Sequence, residues 1–131
     1  MVFNKKFASD YSVVSSLEDQ YSGGKNKKEY CKKGDSLFVL SNNGNVLIVF
    51  GKNGGFPIRT EETKEIMINT PEELISKIKE VDMKMSYGFP IEFVLGIISN
   101  KPWKTEFMEK LENSNVRLTL KNEIKQKYEN A

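Results

Sequence analysis

Residues 36–51 read SLFVLSNNGNVLIVFG. Two apolar runs flank Asn43-Gly44, the pair that suits a two-residue type I′ turn because both central residues need φ > 0. A turn centred there sets Leu40 opposite Leu47, Val39 opposite Ile48, Phe38 opposite Val49 and Leu37 opposite Phe50. Opposed residues share a face and neighbours along a strand alternate. Phe38, Leu40, Leu47 and Val49 then line one face, and Leu37, Val39, Ile48 and Phe50 the other. An antiparallel pair with one wet face would alternate apolar and polar. This one is apolar on both, which predicts a central hairpin covered on both sides.

Before the hairpin, Phe7, Tyr11, Val14, Leu17 and Tyr21 recur at helical spacing and predict an amphipathic helix over about residues 5–21, closed by Gly23-Gly24. Residues 22–35, SGGKNKKEYCKKGD, are polar, basic and glycine-bearing, the composition of a mobile loop. After the hairpin, Lys52–Thr60 carries Asn53-Gly54-Gly55 and Pro57 and reads as a turn or loop, and Lys64–Asn69 as a third strand. Thr70-Pro71-Glu72-Glu73 is a helix start: an N-cap Thr, Pro at the first helical position and Glu at the third. Leu74, Ile75, Ile78, Val81 and Met85 form its apolar stripe, and Tyr87-Gly88-Phe89-Pro90 breaks it. Ile91–Ser99 reads as a fourth strand, apolar on both faces apart from Glu92. A helix carrying Trp103, Phe107 and Leu111 follows, then a fifth strand with Val116, Leu118 and Leu120, and a charged helical tail.

The order α-β-β-β-α-β-α-β-(α) predicts an α+β (α/β-like) fold. Its mixed sheet has about five strands, with an N-terminal meander and helices on both faces, in one globular domain over residues 1–131.

At 131 residues with 38% hydrophobic and 29% charged side chains, the chain is long enough for a core without disulfides or metal. A single cysteine, Cys31, permits no internal disulfide and fits a reducing compartment. The longest apolar run, Val46–Phe50, is far short of a membrane span, and the first residues lack the apolar stretch of a signal peptide. The expected location is the cytoplasm, with no membrane partner. The abundance of Lys, Asn and Ile suggests an AT-rich gene of bacterial or phage origin.

The chain has no histidine. That removes Ser-His-Asp and Cys-His triads and the usual neutral-pH general base, and with one cysteine no thiolate zinc cluster can form. The net charge is +2, with Lys far outnumbering Arg, the residue suited to bidentate phosphate and guanine contacts. Lys25, Lys27, Lys28, Lys32 and Lys33 form a basic segment against the single Glu29. It could steer toward nucleic acid or an acidic protein surface, though Tyr30 is its lone stacking residue. Cys31 lies among these lysines, which lower a thiol's pKa, but it has no resolving Cys or His partner. Packing is its expected role.

The α-β-β-β-α-β portion resembles the order of the restriction-endonuclease-like core, and Glu62-Thr63-Lys64 resembles the E-x-K fragment of such nucleases. The resemblance implies Mg²⁺ held by carboxylates. Leu47–Phe50 carries no Asp where that family has one, and the nearest is Asp35. Asp35, Glu62 and Lys64 would therefore have to converge.

These observations lean away from an enzyme. No catalytic, metal or cofactor residue is assigned. The expected function is a small cytosolic protein-binding inhibitor, such as an immunity protein against a bacterial toxin or a phage anti-defence protein, acting by occluding its protein partner. The candidate contacts are Lys27, Lys28, Lys32, Lys33, Glu61, Glu62, Glu65, Glu72 and Glu73. The alternatives are an Mg-dependent or degenerate restriction-endonuclease-like protein, and a nucleic-acid-binding domain using the Lys25–Lys33 segment.

Overall fold

The computed structural model describes residues 13–23, 28–82, 91–99 and 101–130. The strands are β1 (Val13–Ser16), β2 (Gln20–Tyr21), β3 (Glu29–Cys31), β4 (Ser36–Asn42), β5 (Val46–Gly51), β6 (Gly54–Arg59) and β7 (Thr63–Ile66), with a 3-10 turn at Thr60–Glu62 before β7. The helices are α1 (Pro71–Asp82), α2 (Ile91–Ile98), α3 (Lys104–Glu112) and α4 (Leu118–Glu129). The fold is α+β. Five strands form one sheet in the order β6-β5-β4-β1-β7, and β2 and β3 pair separately. Every pairing among the described strands is antiparallel, so the expected mixed sheet does not form. The strands come first and the described helices follow.

The sheet is strongly curled. Laid flat, its edge strands β6 and β7 would lie about 19 Å apart, four spacings of about 4.8 Å. Only Thr60–Glu62 separate the end of β6 from the start of β7, a reach of at most about 14 Å even if fully extended. The edges must therefore swing toward each other into a partly closed barrel. Hydrogen bonds carry the β5–β6 and β1–β7 ladders on into the connecting turn. Thr60 donates from its N–H to Asn45 O at 2.9 Å and from its hydroxyl to Gly44 O at 2.9 Å, and Leu17 N–H donates to Glu62 O at 2.8 Å.

Both faces of the hairpin are covered, as its sequence requires, but not both by helices. The barrel interior holds Val14, Leu37, Val39, Leu47, Val49, Phe56 and Ile58, closed over by Cys31 and the partly buried Tyr30 of β3. The Tyr30 ring stacks on Phe56 at 4.7 Å and 6°. The outer wall of β1 and β4, with Phe50 of β5, presents Val13, Phe38 and Phe50 to the helices, where they pack in one core with Leu74, Ile78, Val94, Phe107 and Ile124 among others.

The hairpin register differs from expectation. Phe38 pairs with Phe50 and Val39 with Val49, then Ser41 with Ile48, so Leu40 is an extra residue in β4. A one-residue shift flips a strand's faces. Leu47 and Val49 accordingly point inward, Phe50 outward, and Ile48 is left 41% exposed. The turn is also not type I′: among the described residues no non-glycine has positive φ, and Gly44 alone in this turn adopts it, at 100°. Asn43 instead accepts Val46 N–H on its side-chain oxygen at 2.8 Å, and Asn42 accepts Gly44 N–H at 2.7 Å.

Other elements change type. The described part of the predicted helix at 5–21 is β1, a bend and β2, while residues 1–12 lie outside the described residues. Lys52–Thr60 is mostly β6, not a loop: Pro57 sits on an edge strand, where a missing N–H is tolerated. The predicted strand at Ile91–Ser99 is instead helical over Ile91–Ile98, with Ile91, Val94, Ile97 and Ile98 buried at helical spacing and Glu92 and Phe93 exposed. The fifth strand at 116–120 is instead a loop and the start of α4. The Thr70 start of α1 forms as read. Its hydroxyl donates to the Glu73 carboxylate at 3.1 Å and accepts Glu73 N–H at 3.2 Å.

Candidate protein-interaction surface

The end of β1 gathers segments that are distant in sequence. Ser16 N–H donates to Asp35 O at 3.1 Å, Gly34 N–H to Ser16 O at 2.8 Å, and Leu17 N–H to Glu62 O at 2.8 Å. The residue 17–22 connection therefore lies between the lysine-bearing turn at 32–35 and the glutamate-bearing turn at 60–62. Side chains lock it on both sides. Asp19 accepts Lys33 N–H at 2.8 Å, and Gln20 donates its amide to the Glu62 carboxylate at 3.2 Å. The lysine turn is itself built tightly. Asp35 N–H returns to Lys32 O at 3.0 Å, its carboxylate takes Lys32 N–H at 2.9 Å, and Gly34 supplies a φ of 90° that other residues adopt at a cost.

This pinned connection leaves Leu17 and Tyr21 exposed, by 43% and 50%. Around them Glu18, Asp19, Glu61 and Glu65 are exposed and Glu62 half-buried, with Lys28, Lys32 and Lys33 exposed on the other flank. Glu61 pairs with Arg59 at 3.2 Å; an exposed pair of this kind leaves both charges open to exchange partners.

Of the contacts expected from sequence, Lys28, Lys32, Lys33, Glu61, Glu62 and Glu65 come to this surface. Lys27 lies outside the described residues, as does Lys25. Glu72 and Glu73 belong to the helical layer and are engaged there: the Glu73 carboxylate accepts the hydroxyl of Thr70, which caps α1, and Glu72 meets Lys110 at 2.8 Å across the α1–α3 groove, a cleft of about 690 Å³. The Lys110 ammonium holds the Glu72 carboxyl below the ordinary range, and Glu72 in turn raises Lys110. Leu17 and Tyr21 are the exposed apolar side chains that the sequence did not point to, since helical spacing had placed them on a buried stripe.

Asp35, Glu62 and Lys64 are each engaged with other partners. The Asp35 carboxylate is held by Lys32 N–H and by Lys52 at 3.4 Å, the Glu62 carboxylate by Gln20, and Lys64 sits in β7 opposite Ser15. Among the described residues no cluster of three or more His, Cys, Asp or Glu is placed to hold a metal ion. Among the described residues the element order, strands first and helices after, also differs from the α-β-β-β-α-β order that carried the resemblance. Cys31 is fully buried, and burial pushes its thiol pKa up against a lowering hydrogen bond with Ser16. It is a packing residue of the barrel lid, and its neighbouring lysines do not activate it.

No helix among the described residues is long and apolar enough to cross a membrane. Set against family models, curated proteins and solved structures, the chain matches none.

Proposed function

We propose that this chain is a small protein-binding inhibitor that acts by occluding its partner, such as an immunity protein that neutralises a bacterial toxin or a phage anti-defence protein, working in the cytoplasm. The observation that carries the reading is the pinned pair of exposed apolar side chains, Leu17 and Tyr21, set between an acidic and a basic flank. Interfaces of this kind place a few apolar or aromatic anchors at the centre and charge at the rim. Because hydrogen bonds already fix the loop, little ordering entropy is lost on docking. Charges of both signs give orientation and on-rate.

The same mixture disfavours a nucleic-acid role. Phosphate contacts need unopposed cations, and here carboxylates share the surface with the lysines.

Co-expression with the product of the adjacent gene tests the proposal. The two proteins are expected to copurify, and the neighbour to be harmful when expressed alone. A neighbour that is harmless alone and does not copurify contradicts it.

A further inference from the structure

A second surface lies on the helical layer, away from the barrel. The groove between α3 and α4 encloses about 330 Å³. Its apolar floor includes Met108, and Leu118 lines it while remaining 69% exposed, the most exposed of the large hydrophobics described. One flank, on α3, carries Glu109 and Glu112. The other, on α4, carries Lys121 and Lys125, one turn apart.

We propose that this groove is a homodimer interface, occupied by the same groove of a second copy of this chain. The argument is charge self-complementarity. A two-fold axis running along the groove turns the partner over, so that its lysine flank faces this copy's glutamate flank and the reverse. The same axis lays Leu118, which stands on the lysine flank, against the partner's α3 flank, removing the exposed side chain from water. Neither a nucleic acid nor an anionic amphiphile matches two glutamates and two lysines lining one groove, whereas a copy of the groove does.

The competing internal contacts are weak ones. Lys125 meets Glu112 of its own chain at 3.7 Å with both side chains more than half exposed, and the Lys121 ammonium donates to Glu112 O at 3.1 Å. Exposed pairs of this kind contribute little, so exchanging the Lys125 pair for the partner's carboxylates costs little.

The test is the mass in solution, by light scattering after size exclusion, of the full chain at low and high concentration. The wild type is expected to shift from monomer to dimer as concentration rises, and Leu118→Glu to remain monomeric with an unchanged circular-dichroism spectrum. The pair Lys121→Glu with Lys125→Glu, and the pair Glu109→Lys with Glu112→Lys, should each give monomers, and their equimolar mixture should give a heterodimer. A wild type that stays monomeric overturns the proposal. So does a dimer that survives Leu118→Glu, or swapped variants that fail to pair.

Discussion

Leu17 and Glu62 extend the β1–β7 ladder by one backbone hydrogen bond of 2.8 Å, between the connection that follows β1 and the turn that precedes β7. Leu17 thus does two separable things. Its N–H carries the β1–β7 ladder one bond past Ser16, and its side chain projects into solvent.

Leu17→Ala removes the side chain and keeps the N–H. Substitutions at exposed positions free of special contacts change stability by about 0.5 kcal/mol or less. Urea denaturation should give a midpoint and slope within error of the wild type, which makes the variant a clean probe of binding.

Asp82→Asn should do the opposite. Arg117 donates to both Asp82 carboxylate oxygens, at 3.0 and 3.1 Å, and the Asp82 side chain is only 8% exposed. The pair joins the end of α1 to the entry of α4, and a charge-assisted bond of this kind contributes about 1.5–3 kcal/mol. The urea midpoint should fall with no change in slope.

Glu72 should titrate below the usual Glu range, because Lys110 favours its charged form. A carboxyl whose folded pKa is depressed adds stability above its unfolded pKa and loses it as pH falls through the folded value. Its contribution should therefore begin to fade on acidification below about pH 4.5, the ordinary Glu value. Side-chain carboxyl NMR titration should record the low value in the wild type and an upward shift in Lys110→Met.

Cys31 should resist thiol reagents at neutral pH. Burial raises its pKa, so the reactive thiolate is scarce, and the barrel lid bars access. Labelling should be slow in the native protein and fast in urea. Rapid native labelling would mean that β3 lifts off the barrel readily.

Much of this was legible in the sequence, for identifiable reasons. The hairpin at 36–51 and the Thr70-Pro71 helix start carry local signals that tertiary structure did not override. The two covered faces were also readable, because apolar residues on both sides of a hairpin draw cover to both; Ile48 alone of the eight is left exposed. What covers the inner face was not, since barrel closure depends on Leu40 being an extra residue, and a bulge answers to the bend of the whole sheet. Ile91–Ile98 illustrates a second limit: a short, nearly continuous apolar run serves a buried strand or a buried helix equally well. Val14, Leu17 and Tyr21 fit a helical period by coincidence, and that reading concealed the anchors. Glu61, Glu62, Lys32 and Lys33 stood out by charge, yet only the pairings of β1 with β4 and β7 bring them together.

The central claim is tested most directly by titration calorimetry of the purified protein with the adjacent gene product. Wild type should bind, and Leu17→Ala and Tyr21→Ala should each weaken binding by at least about 1.4 kcal/mol, or tenfold in Kd, with folding unchanged. Undiminished affinity in the double variant would contradict the account, because the contact would then lie elsewhere on the molecule.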